Sequence, residues 1–178
     1  AIPQDNGYAR THPLTGERIA ALEAMYTKDP AYNKPTNPQL EARFQRVKAK
    51  LAGFLDPKKA VGIYPETNQS IPGHYARAYA YHLGAYPEKA ESEADILLRT
   101  APNDPYFLEL KGQILLESGK PRQALEPLRR AVDLAPDQPM ISVLFGHALL
   151  ATEDPSHFAE AKLVIKNAVN RDNQNPFA

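Results

Sequence analysis

Five histidines are the residues best able to do chemistry in this chain, and their spacing limits what that chemistry can be. They occur as His12-Pro13, His74-Tyr75, His82-Leu83, His147-Ala148 and His157-Phe158. None opens a His-Glu-x-x-His helix, the spacing that puts two zinc ligands and a general base on one face. His74 and His82 share a helical stretch eight residues apart, with Tyr75, Tyr79 and Tyr81 around them. Zinc there would need further ligands from a neighbouring helix, so both histidines read as packing or surface-lining residues. There is no Gly-rich phosphate loop and no nucleophile elbow. Acidic pairs such as Glu91 and Glu93 read as ordinary exposed helix charges. No catalytic residue and no metal ligand is assigned within this chain, and no cofactor is expected in it.

Composition narrows the remaining classes. Net charge is zero with 24% charged residues, so no electrostatic footprint for nucleic acid is visible. The basic residues Arg43, Arg46, Lys48 and Lys50 lie near Glu41 and read as a solvated helix face. Cysteine is absent, which rules out a disulfide framework and a thiolate metal site. No apolar run approaches the roughly 20 residues of a membrane span, and Ala1-Ile2-Pro3-Gln4 does not begin a signal peptide. Seventeen prolines against nine glycines fit short helices separated by stops, since proline is tolerated in a first helical turn and just beyond a last one.

The elements that must position any site follow from a repeat. Pro105 to Pro136 reads as two amphipathic helices: Leu108, Leu110, Ile114 and Leu115 on the first, then Gly119, then Ala124, Leu125, Leu128, Ala131, Val132 and Leu134 on the second. Gly112 and Gly146 are thirty-four apart, as are Ala90 and Ala124, Pro102 and Pro136, and Pro105 and Pro139. That period, with small residues where helix backbones approach closely, is the signature of the tetratricopeptide repeat. The fold expected is all-α, a right-handed tetratricopeptide-repeat superhelix (an α-α solenoid) with a helical N-terminal lead-in.

Taken in order, residues 1–36 hold a helix from about Gly16 to Tyr26 and a Pro/Asn linker, with Thr15 as N-cap and Leu14 stapled on Ile19. Residues 37–70 are the lead-in. Asn37 caps a helix whose apolar stripe is Leu40, Phe44, Val47, Leu51 and Phe54, expected to pack on the repeats, and a short helix follows from Asp56-Pro57 to about Tyr64. Residues 71–178 form three repeats and the first residues of a fourth. Helices are expected at 72–83, 87–100, 139–151 and about 156–171. Ala161 lies thirty-seven beyond Ala124, so three residues are inserted, and they are placed in the turn Thr152 to His157. Ending at Pro176-Phe177-Ala178, just inside a fourth repeat, the chain reads as a fragment.

The first helix of each hairpin in such an array lines a groove. Its residues here would be Tyr75, Tyr79 and His82, then Tyr106, Glu109, Gln113 and Leu116, then Met140, Val143 and His147. Aromatic and Met side chains on one exposed wall suit recognition of protein or peptide segments. The Lys and Asn residues of a chaperone-type carboxylate clamp are missing.

Thr11-His12-Pro13, Glu17-Arg18-Ile19 and Leu22 resemble the signature that closes the peptidase domain of His-Glu-x-x-His zinc metalloproteases. Followed by a linker and by repeats containing NDPYFLELKGQILLESG, the chain from Tyr8 onward is similar to the proteobacterial subfamily that carries C-terminal tetratricopeptide repeats, the BepA-like proteases. The resemblance implies a periplasmic zinc endopeptidase parent in outer-membrane protein quality control. Its zinc helix would lie upstream of Ala1, residues 1–36 would include the tail of its peptidase domain, and its partners would be client or assembly-machinery proteins. This segment would be its non-catalytic recognition module, with homotypic contact through the last repeat as a further expectation. The rival reading is a stand-alone repeat adaptor with no protease parent.

Overall fold

In a computed structural model, residues 15–171 are described, and among them are nine α-helices and no strand. Two units divide the chain, Ala1–Glu41 and Ala42–Ala178.

In the first unit, α1 (Thr15–Tyr26) carries the expected Ile19, Leu22 and Met25, each more than half exposed. Thr15 falls inside the helix, and Leu14 lies outside the described residues, as do Thr11, His12 and Pro13. The turn after α1 is held by Asp29, whose carboxylate accepts from the Ala31 N–H at 2.6 Å. Tyr26 and Tyr32 rings sit 5.4 Å apart beside it.

Helix α2 (Pro38–Leu55) starts as its cap chemistry dictates, with Asn37 Oδ1 accepting from the Gln39 N–H at 2.9 Å and proline at the first position. Its packing corrects the expectation. Leu40, Phe44, Val47, Leu51 and Phe54 are all exposed by half or more, whereas Ala49 and Gly53 are buried. The reason lies in what α2 packs on. The facing surface of α4 (Ile71–Leu83) carries Ala76 and the tyrosine Tyr79, and a Cβ on Gly53 would fall 2.3 Å from the Ala76 carbonyl oxygen. Only small residues allow so close an approach.

Helix α3 (Pro57–Ile63) is capped by Asp56, and Ser70 caps α4 by accepting from the Gly73 N–H at 3.2 Å. Gly73 through Tyr81 are buried without interruption, so α4 is enclosed on every side. Three hairpins follow from here: α4 with α5 (Pro87–Thr100), α6 (Pro105–Glu117) with α7 (Pro121–Leu134), and α8 (Pro139–Ala151) with α9 (Pro155–Arg171). Each helix from α3 onward packs on the next, and α6 also touches α8.

The thirty-four-residue period is a geometric repeat. The hairpin turns place Ala85, Gly119 and Glu153 at φ of 61°, 75° and 55°, thirty-four residues apart, and the second helices open on Pro87, Pro121 and Pro155 at the same interval. Gly112 and Gly146 let α7 and α9 approach, since a Cβ at either would meet Leu128 or Ile165 at 2.3 Å. The three inserted residues are not in the turn, which keeps its length. α9 has 17 residues against 14 in α5 and α7, so the insertion is a further stretch of helix before Ala161. A helix lengthened within its first turns keeps every backbone hydrogen bond, whereas a longer turn leaves groups to be satisfied elsewhere.

The core is continuous between hairpins. Tyr75, Ala78, Ala94, Leu97, Phe107 and Ile114 fill the space between α4, α5 and α6, and Leu115, Leu128, Phe145, Leu149 and Ala161 fill that between the last four helices.

Candidate functional site

The first helices of the three hairpins, α4, α6 and α8, carry all ten residues expected to line a recognition face, and the structure divides them by exposure. Tyr75 and Tyr79 are buried, at 3% each. Their rings meet edge to face at 5.3 Å, and Tyr75 also stands edge-on to Phe107 at 5.3 Å. Burial pushes the Tyr75 hydroxyl up to about 12 and raises that of Tyr79 further. What covers them is α2. The Arg46 guanidinium lies 4.3 Å from the Phe107 ring centroid and 5.6 Å from that of Tyr75, and Lys50 Nζ lies 5.3 Å from that of Tyr79. Cations favour the negative faces of aromatic rings, which explains why the basic side of α2 turns inward and its apolar stripe outward. The solvated-face reading therefore holds for Arg43 and Lys48, which are exposed, and fails for Arg46 and Lys50.

Arg46 is fixed further by a fork-like pair to Asp104, with Nη1 donating to Oδ2 at 2.7 Å and Nη2 to Oδ1 at 3.1 Å. Asp104 also caps α6 by accepting from the Tyr106 and Phe107 N–H groups. Beside this pair opens a cleft of about 650 Å³, lined by Arg43, Arg46, Val47, Lys50, Tyr75, Asp104, Pro105 and Tyr106.

The open part of the face runs from Tyr106, 40% exposed, to Met140, 43% exposed, and His147, also exposed. Leu116 and Gln113 are half-buried, and Val143 is buried. His82 Nε2 meets Glu117 Oε2 at 2.9 Å, and Gln113 Nε2 donates to the other Glu117 oxygen at 2.9 Å. His82 and Gln113 are thus tied together through a residue that the sequence did not single out. Glu109 is half-buried, and burial raises its carboxyl above the ordinary range, with Lys50 opposing the shift.

A second polar cluster corrects the reading of Glu91 and Glu93. Arg77 is 1% exposed, and its Nε and Nη2 donate to the two Glu93 oxygens at 2.7 and 3.1 Å. Its Nη1 donates to the Pro65 and Asn68 carbonyls at 2.9 and 2.8 Å, which fastens the loop before α4. His74 Nδ1 lies 2.5 Å from Glu93. Glu91 is paired as well, with Lys120 at 2.5 Å and Lys111 at 3.5 Å. Charges on an otherwise apolar helix such as α4 were the available signal, because an arginine amid Ala and Tyr needs a buried partner.

Among the described residues no group of three or more His, Asp or Glu side chains is arranged to hold a metal ion. No helix among the described residues is long and apolar enough to cross a membrane. Comparison of the chain with protein-family models, with curated proteins and with solved structures found no match.

Proposed function

We propose that residues 71–171 are a tetratricopeptide-type recognition module, binding protein or peptide segments on the open face of α6 and α8. The observation that carries this reading is the thirty-four-residue recurrence of the positive-φ turns at Ala85, Gly119 and Glu153, which repeats one hairpin geometry three times. Repeats set in register line up their first helices, and here that row leaves Tyr106 on α6 and Met140 and His147 on α8 exposed. Large apolar and aromatic side chains held at a surface by rigid helices are the usual anchors of protein recognition. The array is proposed to wind as a right-handed superhelix, as such repeats do.

The biological setting rests on the Thr11-His12-Pro13 and Glu17-Arg18-Ile19 resemblance. On that basis the module serves a periplasmic zinc endopeptidase of outer-membrane protein quality control, with the zinc chemistry upstream of Ala1 and client segments as ligands. Two experiments test this in turn. Reading the gene upstream of Ala1 should find a His-Glu-x-x-His helix, and an unrelated domain there would remove the protease parent. Separately, a urea-unfolded outer-membrane β-barrel protein diluted onto the immobilised chain should be captured, and capture should weaken on Met140→Ala and His147→Ala.

A further inference from the structure

The recognition reading leaves open what kind of segment is bound, and the cleft beside α2 bears on that. Its lining holds three cations, Arg43, Arg46 and Lys50, against one carboxylate, Asp104. In a chain whose net charge is zero this is a local excess. Arg46 is committed to Asp104 and to the Tyr75 and Phe107 rings. Arg43 and Lys50 make no ion pair with another described residue, and each flanks Arg46 along the helix. Seven residues of helix separate them by about 10 Å, which matches about three residues of an extended polyproline-II segment, whose side chains at i and i+3 share one face. Between the two cations the cleft offers an apolar wall of Val47, Pro105 and the half-exposed Tyr106 ring.

We propose that this cleft binds an extended acidic peptide segment. Two carboxylates about three residues apart meet Arg43 and Lys50, and an apolar or aromatic side chain between them rests on Val47, Pro105 and Tyr106. The proposal deepens the recognition reading and depends on it. Arg46 acts as a positioning residue: its pair with Asp104 holds α2 at the distance from α6 that keeps the cleft open. Half-buried Glu109 interacts electrostatically with Lys50 and weakens its field. Partly desolvated cations of this kind select for acidic partners and speed their arrival.

The test uses a fluorescein-labelled Ser-Glu-Phe-Ser-Glu-Ser peptide and its Gln counterpart, read by anisotropy against the intact chain. The acidic peptide is expected to bind more tightly than the Gln version by about tenfold or more, and to lose that advantage when salt is raised to about 0.5 M. Arg43→Gln/Lys50→Gln should abolish the preference, while Lys162→Gln on α9 should leave it intact. Arg43 is exposed and Lys50 is half-buried over the Tyr79 ring, so an unchanged melting temperature of the double variant checks the fold. Equal binding of the two peptides, or a preference that survives the double variant, overturns the proposal. If capture of the unfolded β-barrel protein still depends on Met140 and His147 in that case, the recognition reading stands and only the acidic specificity falls. If neither probe binds, both fall.

Discussion

Arg77 and Glu93 form a two-pronged ion pair at 2.7 and 3.1 Å between the two helices of the first hairpin, in a place almost closed to solvent. Removing one partner leaves the other charge buried and unpaired, which costs far more than an exposed pair contributes. Glu93→Ala is therefore expected to lower stability by roughly 3–5 kcal/mol in urea unfolding. Because Arg77 also grips the Pro65 and Asn68 carbonyls, the variant should speed amide exchange across residues 64–70. A loss below about 1 kcal/mol would place Glu93 among surface pairs, as its sequence context suggests.

The turn residues yield a second prediction. Ala85 and Glu153 take the positive φ that Gly119 takes without strain. An L side chain in that region costs about 1–2 kcal/mol. Ala85→Gly and Glu153→Gly should each raise stability by up to about 1 kcal/mol, the gain being reduced by the greater freedom of glycine in the unfolded chain. Gly119→Ala should lower it by a similar amount. A thermal melt of the three variants decides, and a fall in melting temperature for both glycine variants would contradict the turn geometry.

Two carboxylates should give stability opposite dependences on pH. Burial alone would raise Glu91, but hydrogen bonds and charge from Lys120 and Lys111 outweigh it and hold the group below its ordinary 4.5. A depressed folded-state value supplies stability that is present above the unfolded value and lost as pH falls through the folded one. Glu91→Gln should thus be less stable than the wild type at neutral pH and converge with it in acid. Glu109 is raised by burial, so ionising it costs stability as pH climbs through and above 4.5. Glu109→Gln should match the wild type in acid and exceed it at neutral pH. Urea titrations at pH 3 to 7 read both signs, and parallel curves for either variant would refute its assignment.

Gly53 controls how closely α2 can lie on α4. A methyl group there meets the Ala76 carbonyl oxygen at 2.3 Å and the Tyr79 Cβ at 2.9 Å, and backbone cannot yield as a flexible side chain can. Gly53→Ala is expected to cost roughly 1–3 kcal/mol through forced displacement. Amide exchange should quicken in residues 45–54 while residues 105–171 keep their protection. Unchanged exchange in α2 would mean that the helix is held elsewhere.

How much of this was legible in the sequence depended on which physical signal each residue gives. Helix starts were plain because proline at a first turn and Asn37 or Asp56 before it are local chemistry, decided within four residues. The hairpins were plain because Gly112 and Gly146 recur where helices must touch. The seat of α2 was not legible, since hydrophobic periodicity assumes that the buried side of a helix is its apolar one. Here the buried side is Ala49 and Gly53 flanked by cations over tyrosine rings, and Leu40, Phe44, Val47, Leu51 and Phe54 are left outward. Tyr75 and Tyr79 read as part of an open wall for the same reason, because nothing local to α4 announces that a helix about thirty residues earlier lies over it. Glu93 was missed because a carboxylate on an amphipathic helix looks alike whether its partner is water or a buried arginine.

The central claim is that the open face of α6 and α8 binds protein segments through its exposed anchors, and Tyr106 is the side chain that both the open face and the cleft share. The most direct measurement is the affinity of the Tyr106→Ala chain for an unfolded outer-membrane β-barrel protein, set beside that of the wild type and of Leu163→Ala, a still more exposed apolar residue on α9. A loss of roughly 1–3 kcal/mol for Tyr106→Ala, with no loss for Leu163→Ala and unchanged melting temperatures, is the result predicted for an anchor. Equal affinity for the wild type and Tyr106→Ala, or a greater loss at Leu163, would place recognition elsewhere on the molecule.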